Sequence, residues 1–393
     1  MNTKSARFFP NDLITEVLSV LPVKSIIRFR CVSNSWNILI SDSTFVKFHL
    51  KRSKARNPFF TLITDHFTYT QGESPYGSDD ESEYDRTVVP YSIRSLIENP
   101  SFNLTVDPYY ELNAKGCSGI VGTCNGICLL DSFDGFLLWN PSTRETSKSF
   151  DCDFDFSGSD HSGFMFGCDD STDIYKVVAF SYSHAHLKND VRVLNFGDDR
   201  WRNIESFPAV PLQIYTVVDY VYLSGTINWL AIHNEYCYPE SNIKDITVDQ
   251  FVIVSLDLGT EKYNQYRLPP SFDEVPSAYP IVGVLGDCLC FSYSKETDFI
   301  IWQMKKFGVE DSWTQFLRIS YHNLQIDYDY SFETTKCHFQ LAPVLLSEDG
   351  DTLILKSILE DFQAILYNWR SNTVERTNIM LNVCISSCDC QLH

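Results

Sequence analysis

The sequence predicts an α+β protein in two domains, a small helical module followed by a large, mainly β domain. Three observations predict it. Apolar residues recur at helical spacing through residues 8–50, and beyond residue 57 the pattern changes to short apolar strands parted by Asp, Asn, Gly and Ser. A chain of 393 residues is also longer than one ordinary domain.

The helical module reads in order. Leu13, Ile14, Val17, Leu18 and Leu21 make the first helix, with Asn11 or Asp12 as its cap and Pro10 just outside. Pro22 ends that helix and opens a second through Val23, Ile26, Ile27, Phe29 and Arg30, since a first turn does not need the missing N–H. Ser33 or Asn34 caps a third carrying Trp36, Leu39 and Ile40. Of the 43 residues from Phe8 to Leu50, 22 are apolar, against 44% for the whole chain. Apolar residues lie on more than one face of each helix, so internal packing uses only some of them. A unit this short, with no Cys pair or Cys/His ligand set, buries too little surface to offset its ordering entropy, and the remainder forms a patch for another protein.

These residues carry a resemblance. Phe9-Pro10-x-Asp12-Leu13-Ile14, Leu21-Pro22-Val23-Lys24-Ser25, Arg28-Phe29-Arg30-Cys31-Val32-Ser33-x-Ser35-Trp36 and Ser41-Asp42-x-x-Phe45 resemble the F-box of plant F-box proteins, in the right order across the whole module. Phe9 departs conservatively from the usual leucine. The resemblance implies docking to a Skp-family adaptor, acidic as a family, and through it to a cullin-based ubiquitin ligase. Carried over by position, it implies adaptor contacts at Pro10, Leu13, Ile14, Leu18, Leu21, Pro22, Ile26, Val32 and Trp36. The bland alternative is a helical cap packed on the chain's own second domain.

Lys51–Asn57 reads as a charged linker. The strands beyond it repeat a unit, an apolar strand, a polar turn and a second strand, at Phe136–Glu145, Val191–Trp201, Phe251–Tyr263, Phe299–Trp313 and Ala364–Asn372. Turn glycines interleave at Gly126, Gly225, Gly286 and Gly350, where tight hairpins demand positive φ. Recurrence near every ~50 residues is how kelch-like propeller blades read. Phe59–Ile63 supplies an initial strand and Ile379–Ile385 a closing one. An open sheet or sandwich stack is the competing architecture. The expected division is a polar tail at 1–7, the F-box at 8–50, the linker at 51–57, a β-propeller-like domain at 58–385 and a tail at 386–393. Gly122–Leu129, Leu138–Arg144, Phe166-Gly167-x-Asp169 with Asp173–Val178, and Leu256–Glu261 are similar to the F-box-associated domain of plants, to which the S-locus F-box proteins also belong.

Composition excludes several functions. Residues 1–56 carry ten Lys/Arg and three Asp/Glu, a balance of +7, which leaves −27 on residues 57–393 against a whole-chain net charge of −20. That acidic excess repels phosphate backbones, so no nucleic-acid partner is expected. No apolar run reaches the ~18 residues of a membrane helix, and no secretory leader is read before Pro10. The 13 cysteines read as reduced thiols, placing the protein in cytosol or nucleus. No nucleophile and base, metal set or phosphate cradle emerges, so no enzyme and no cofactor are expected. His184-Ala185-His186 and Cys384-x3-Cys388-x-Cys390-x2-His393 read as surface loop and solvated tail. Trp139, Trp201, Trp229, Trp302 and Trp313 read as blade packing, and Cys124, Cys128, Cys288 and Cys290 as small hydrophobes.

Loops on a rigid β scaffold carry specificity. The candidates are Gln71–Asp85, with Glu73, Asp79, Asp80, Glu81, Glu83 and Asp85, and Asp151–Asp160, both acidic and suited to a basic target. The expected function is a substrate receptor of a Skp-cullin-F-box ubiquitin ligase. The alternative is a carbohydrate- or peptide-binding propeller without that role.

Overall fold

A computed structural model describes residues 10–21, 23–56, 60–69, 84–99, 112–115, 117–132, 135–141, 143–152, 161–183, 188–214, 217–233, 246–276, 278–326, 341–347, 349–357, 363–380 and 384–387. The chain divides into two compact units. One holds residues 1–94, 106–149 and 384–393, and the other residues 95–105 and 150–383.

The first unit opens with helices α1 (Asn11–Leu18), α2 (Val23–Phe29), α3 (Asn34–Ile40) and α4 (Ser43–Arg56). Three of these follow the sequence pattern; the fourth joins the last residues of the expected F-box module, up to Leu50, to the segment expected as a charged linker at 51–57. Its start is fixed by Asp42, whose carboxylate accepts from the N–H groups of Thr44 at 2.9 Å and Phe45 at 3.4 Å. The Lys/Arg run at 51–56 favours helix as readily as a solvated linker, and Arg52 fastens it by pairing with Glu16 at 2.6 Å. The cap of α1 also differs: Pro10 holds that position with no side-chain bond, so neither Asn11 nor Asp12 serves. Ser33 caps α3 as expected, accepting from Trp36 N–H at 3.2 Å.

The same unit contains two antiparallel sheets. One orders Cys384–Ser387 beside Phe60–Tyr69, then Tyr84–Ser92, then Leu112–Lys115. A strand near the chain's end therefore pairs with the first strand, Leu62 opposite Ile385. This pairing lies slightly later than the expected 379–385, and it runs into the segment expected as a tail. The other sheet runs from Cys117–Cys124 through Ile127–Ser132 and Gly135–Asn140 to Glu145–Thr146.

The second unit is built from four sheets, starting at His161–Asp169, Val210–Pro211, Ile281–Leu285 and Leu341–Leu346. Among the described residues, the fourth of the six main sheets alone has five strands, because Tyr220–Leu223 joins it beside Thr226–Ile232. A two-residue ladder pairs Gln213–Ile214 with Val217–Val218. Consecutive sheets share cores. Met165, Val178 and Val193 pack with Trp229, Val254 and Leu256; Leu230, Phe251 and Ile253 pack with Leu289, Phe291 and Ile300; Cys290, Phe299 and Ile301 pack with Leu353, Leu355 and Ile365. The two middle sheets thus bury both faces, which is why their strands read as near-continuous apolar runs.

Each hairpin glycine named in the sequence sits where positive φ is required. Asn125-Gly126 (48° and 78°), Ser224-Gly225 (49° and 76°) and Gly286-Asp287 (56° and 57°) make two-residue turns of the primed type. The outer hairpins use a different device. Asn140, Asn195 and Asp257 accept from the N–H four residues on, at 2.7, 2.9 and 2.7 Å, while their side chains accept from Thr143, Gly197 and Thr260. The fifth residue, Arg144, Asp199 or Glu261, takes positive φ to close the turn.

Candidate protein-docking surface

Helix α1 carries two apolar stripes. Ile14, Leu18 and Leu21 turn inward to a core made with Val23, Ile26, Ile40, Phe45 and Val46, and Phe29 meets Trp36 edge-on at 5.5 Å. His49, 1% exposed, binds the Leu21 carbonyl through Nε2 at 2.9 Å and ties α4 to the end of α1. The second stripe, Leu13 and Val17 on α1 continued by Val20 in the turn that follows, has helical spacing too, yet these residues are 55%, 60% and 42% exposed. Val32 and Ile38 are likewise open. Five of the six large apolar side chains exposed among the described residues lie between Leu13 and Ile38. Exposed apolar patches mark interaction sites, which makes these five residues the candidates here.

Comparison with known families agrees on both parts of the chain. Residues 9–48 match the F-box domain, and residues 83–357 match the F-box associated beta propeller domain.

The chain belongs to the F-box-associated β-propeller family.

Its relatives in Arabidopsis thaliana include F-box/kelch-repeat protein At3g23880, 28% identical over 79% of this chain and 79% of that one. F-box protein At2g07140 is 23% identical over 93% and 91%, and F-box protein CPR1 is 23% identical over 88% and 79%.

Within this F-box, the residues singled out by sequence divide into three groups. Pro10, Leu13 and Val32 are exposed and free to touch a partner. Ile14, Leu21 and Trp36 are half-buried, each packed on the module's core. Leu18 and Ile26, at 1% and 0% exposure, are corrected from contact to core: a folded module leaves no area on them for an adaptor. Pro22 lies outside the described residues. Sequence reasoning missed Val17, Val20 and Ile38 as surface residues. The i, i+4, i+7 spacing of Leu13, Val17 and Val20 was the available signal.

In the propeller domain, Glu73, Asp79, Asp80, Glu81 and Glu83 lie outside the described residues, as do His184–His186, Cys388, Cys390 and His393. Asp85 is corrected from loop to strand: it sits between Thr68 and Lys115 in the first sheet. Trp139, Trp229 and Trp313 are buried and Trp302 packs against its sheet's core. Trp201 is half-exposed and donates to the Asp151 carbonyl at 3.0 Å. Cys290 is fully buried, and burial pushes its thiol up to about 12, far from a nucleophile's range. Among the described residues no group of three metal-ligating side chains occurs, and no helix is long and apolar enough to cross a membrane.

The charged cluster that does form joins two sheets. Lys176, buried beside the Leu258 carbonyl, pairs with Glu261 at 3.0 Å, and Arg202 reaches the same carboxylate. Burial would raise the Asp169 carboxyl, but hydrogen bonds from Ser171 and Thr172 and the charge of Lys176 outweigh it and hold the group below the usual range. Every member is paired with another, which makes the cluster a clasp between sheets.

Proposed function

We propose that this protein is the substrate receptor of a Skp-cullin-F-box type ubiquitin ligase, non-catalytic in itself. The F-box would dock a Skp-family adaptor and, through it, a cullin scaffold, while the β domain holds a target protein. The observation that carries this reading is the outer stripe of α1, Leu13, Val17 and Val20, left in water beside a fully packed core. A helix with a satisfied inner face and a second apolar face is built for two sets of neighbours. The basic balance of residues 1–56 complements an acidic adaptor, and the acidic β domain favours a basic target. Its rate benefit would be proximity, bringing a target lysine near a charged ubiquitin carrier. Thirteen cysteines read as reduced thiols fit cytosol or nucleus.

The test is capture of a purified Skp-family adaptor by the full chain and by Leu13→Asp. Leu13 is 55% exposed, so the substitution leaves the module's core alone. A carboxylate forced into an apolar contact costs several kcal/mol, so capture is expected to fall by about 100-fold or more. Equal capture by the two proteins removes this surface from the interface. A wild-type chain that ignores the adaptor leaves the carbohydrate- or peptide-binding propeller as the better account.

A further inference from the structure

We propose that Ser33 is a phosphorylation switch on the docking surface; the proposal rests on the receptor reading and names a control for it. Cys31–Ser35 is the longest unbroken run of exposed residues among those described. It spans the turn after α2 and the start of α3, and the backbone of Ser33, the cap residue, is already extended, with φ −161° and ψ 160°. Two arginines precede the serine by three and five positions. Arg28 is exposed, and Arg30 is half-buried with its Nε donated to Asn37 Oδ1 at 2.9 Å. Guanidinium groups just upstream of an accessible, extended serine are what a carboxylate-lined kinase cleft binds, because the planar fork pairs bidentately with carboxylates.

The step requires ATP and a basophilic serine/threonine kinase. Ser33 Oγ attacks the γ-phosphorus, forming an O–P bond as the bond to the β–γ bridging oxygen breaks. ADP leaves, and the hydroxyl proton passes to the kinase's base.

The modification alters charge at a site where the fold survives and docking does not. Ser33 Oγ accepts from Trp36 N–H and lies 3.0 Å from Ser35 Oγ. Phosphate oxygens accept hydrogen bonds as well, so the cap of α3 is kept. The preceding residue, Val32, is 59% exposed and belongs to the open apolar set. A phosphate brings about −1.5 to −2 charges to that surface, where an apolar contact must strip its water and an acidic adaptor repels it. Phosphorylation at Ser33 therefore releases the receptor from its adaptor without unfolding the F-box.

Two substitutions separate cap from charge, since Asn and Asp both cap helices well. Ser33→Asn keeps the cap without charge, and Ser33→Asp keeps it with one. In binding assays of the full chain with a purified Skp-family adaptor, Ser33→Asn is expected within about twofold of wild type and Ser33→Asp at least tenfold weaker. Incubation with a basophilic kinase and ATP is expected to place phosphate on Ser33 by peptide mass spectrometry. Wild-type affinity in Ser33→Asp, equal losses in both variants, or no phosphate on Ser33 would each overturn the switch. A wild-type chain that does not bind the adaptor defeats the receptor reading first, and the switch with it.

Discussion

At Asp169 one carboxylate closes a hairpin and faces a buried lysine. Its Oδ1 accepts from Ser171 N–H at 2.9 Å and Ser171 Oγ at 2.6 Å, and Oδ2 accepts from Thr172 Oγ1 at 2.7 Å. These bonds hold its folded-state pKa below the unfolded value. Its stabilisation is therefore fully present above the ordinary carboxylate value near ~4, and it is lost as pH falls through the lower folded value. Asp169→Ala is expected to cost about 2–3 kcal/mol at neutral pH, the range for charged hydrogen bonds, read as a shift of the urea midpoint. The variant should also show a shallower loss of stability between about pH 5 and pH 2 than wild type. The sequence singled out Asp169 within a family-like motif, but the influence of the Lys176 charge on it depends on strand register and was not readable. The same limit explains Leu18 and Ile26. Period 3.6 marks both apolar stripes of α1 without saying which one the rest of the chain covers.

Among the elements, the hairpins were the most legible, because their chemistry is local. Asn125-Gly126 and Gly286-Asp287 need only two residues to specify a turn, and the Asn140, Asn195 and Asp257 turns need five. Helix α4 was not legible, since a Lys/Arg run is compatible with both solvated linker and helix, and the arbiter is its contact with α1. Two substitutions test how the elements pack. A methyl placed on Gly167 would stand 2.6 Å from Leu258 Cδ1 and 2.9 Å from Tyr222 Cδ2. Gly167→Ala is expected to destabilise the second unit by about 1–3 kcal/mol, as overpacking does, lowering its melting transition. Leu18→Ala opens a cavity in the F-box core and is expected to cost about 2–5 kcal/mol, seen as loss of helical circular dichroism below the temperature at which the sheets melt. Leu13→Asp, by contrast, should leave that signal unchanged.

The whole molecule distributes its charge and its stability unevenly. A basic helical module precedes an acidic β domain, and that split was visible in composition alone. The division into two compact units was not, because one of them gathers residues 1–94, 106–149 and 384–393. Ending the chain at Val383 removes the strand opposite Phe60–Ile63. Faster amide hydrogen exchange is then expected across Phe60–Ile63, with the third to sixth sheets keeping wild-type protection. Such a pairing also imposes an order on biosynthesis. A ribosome adding about 5–20 residues per second takes on the order of tens of seconds to travel from Phe60 to Ser387. Throughout that interval the opening sheet has a bare edge while the greasy helices are already outside the exit tunnel. A bare strand edge and exposed apolar helices are surfaces on which unfinished chains aggregate, so the interval is one of exposure for this chain.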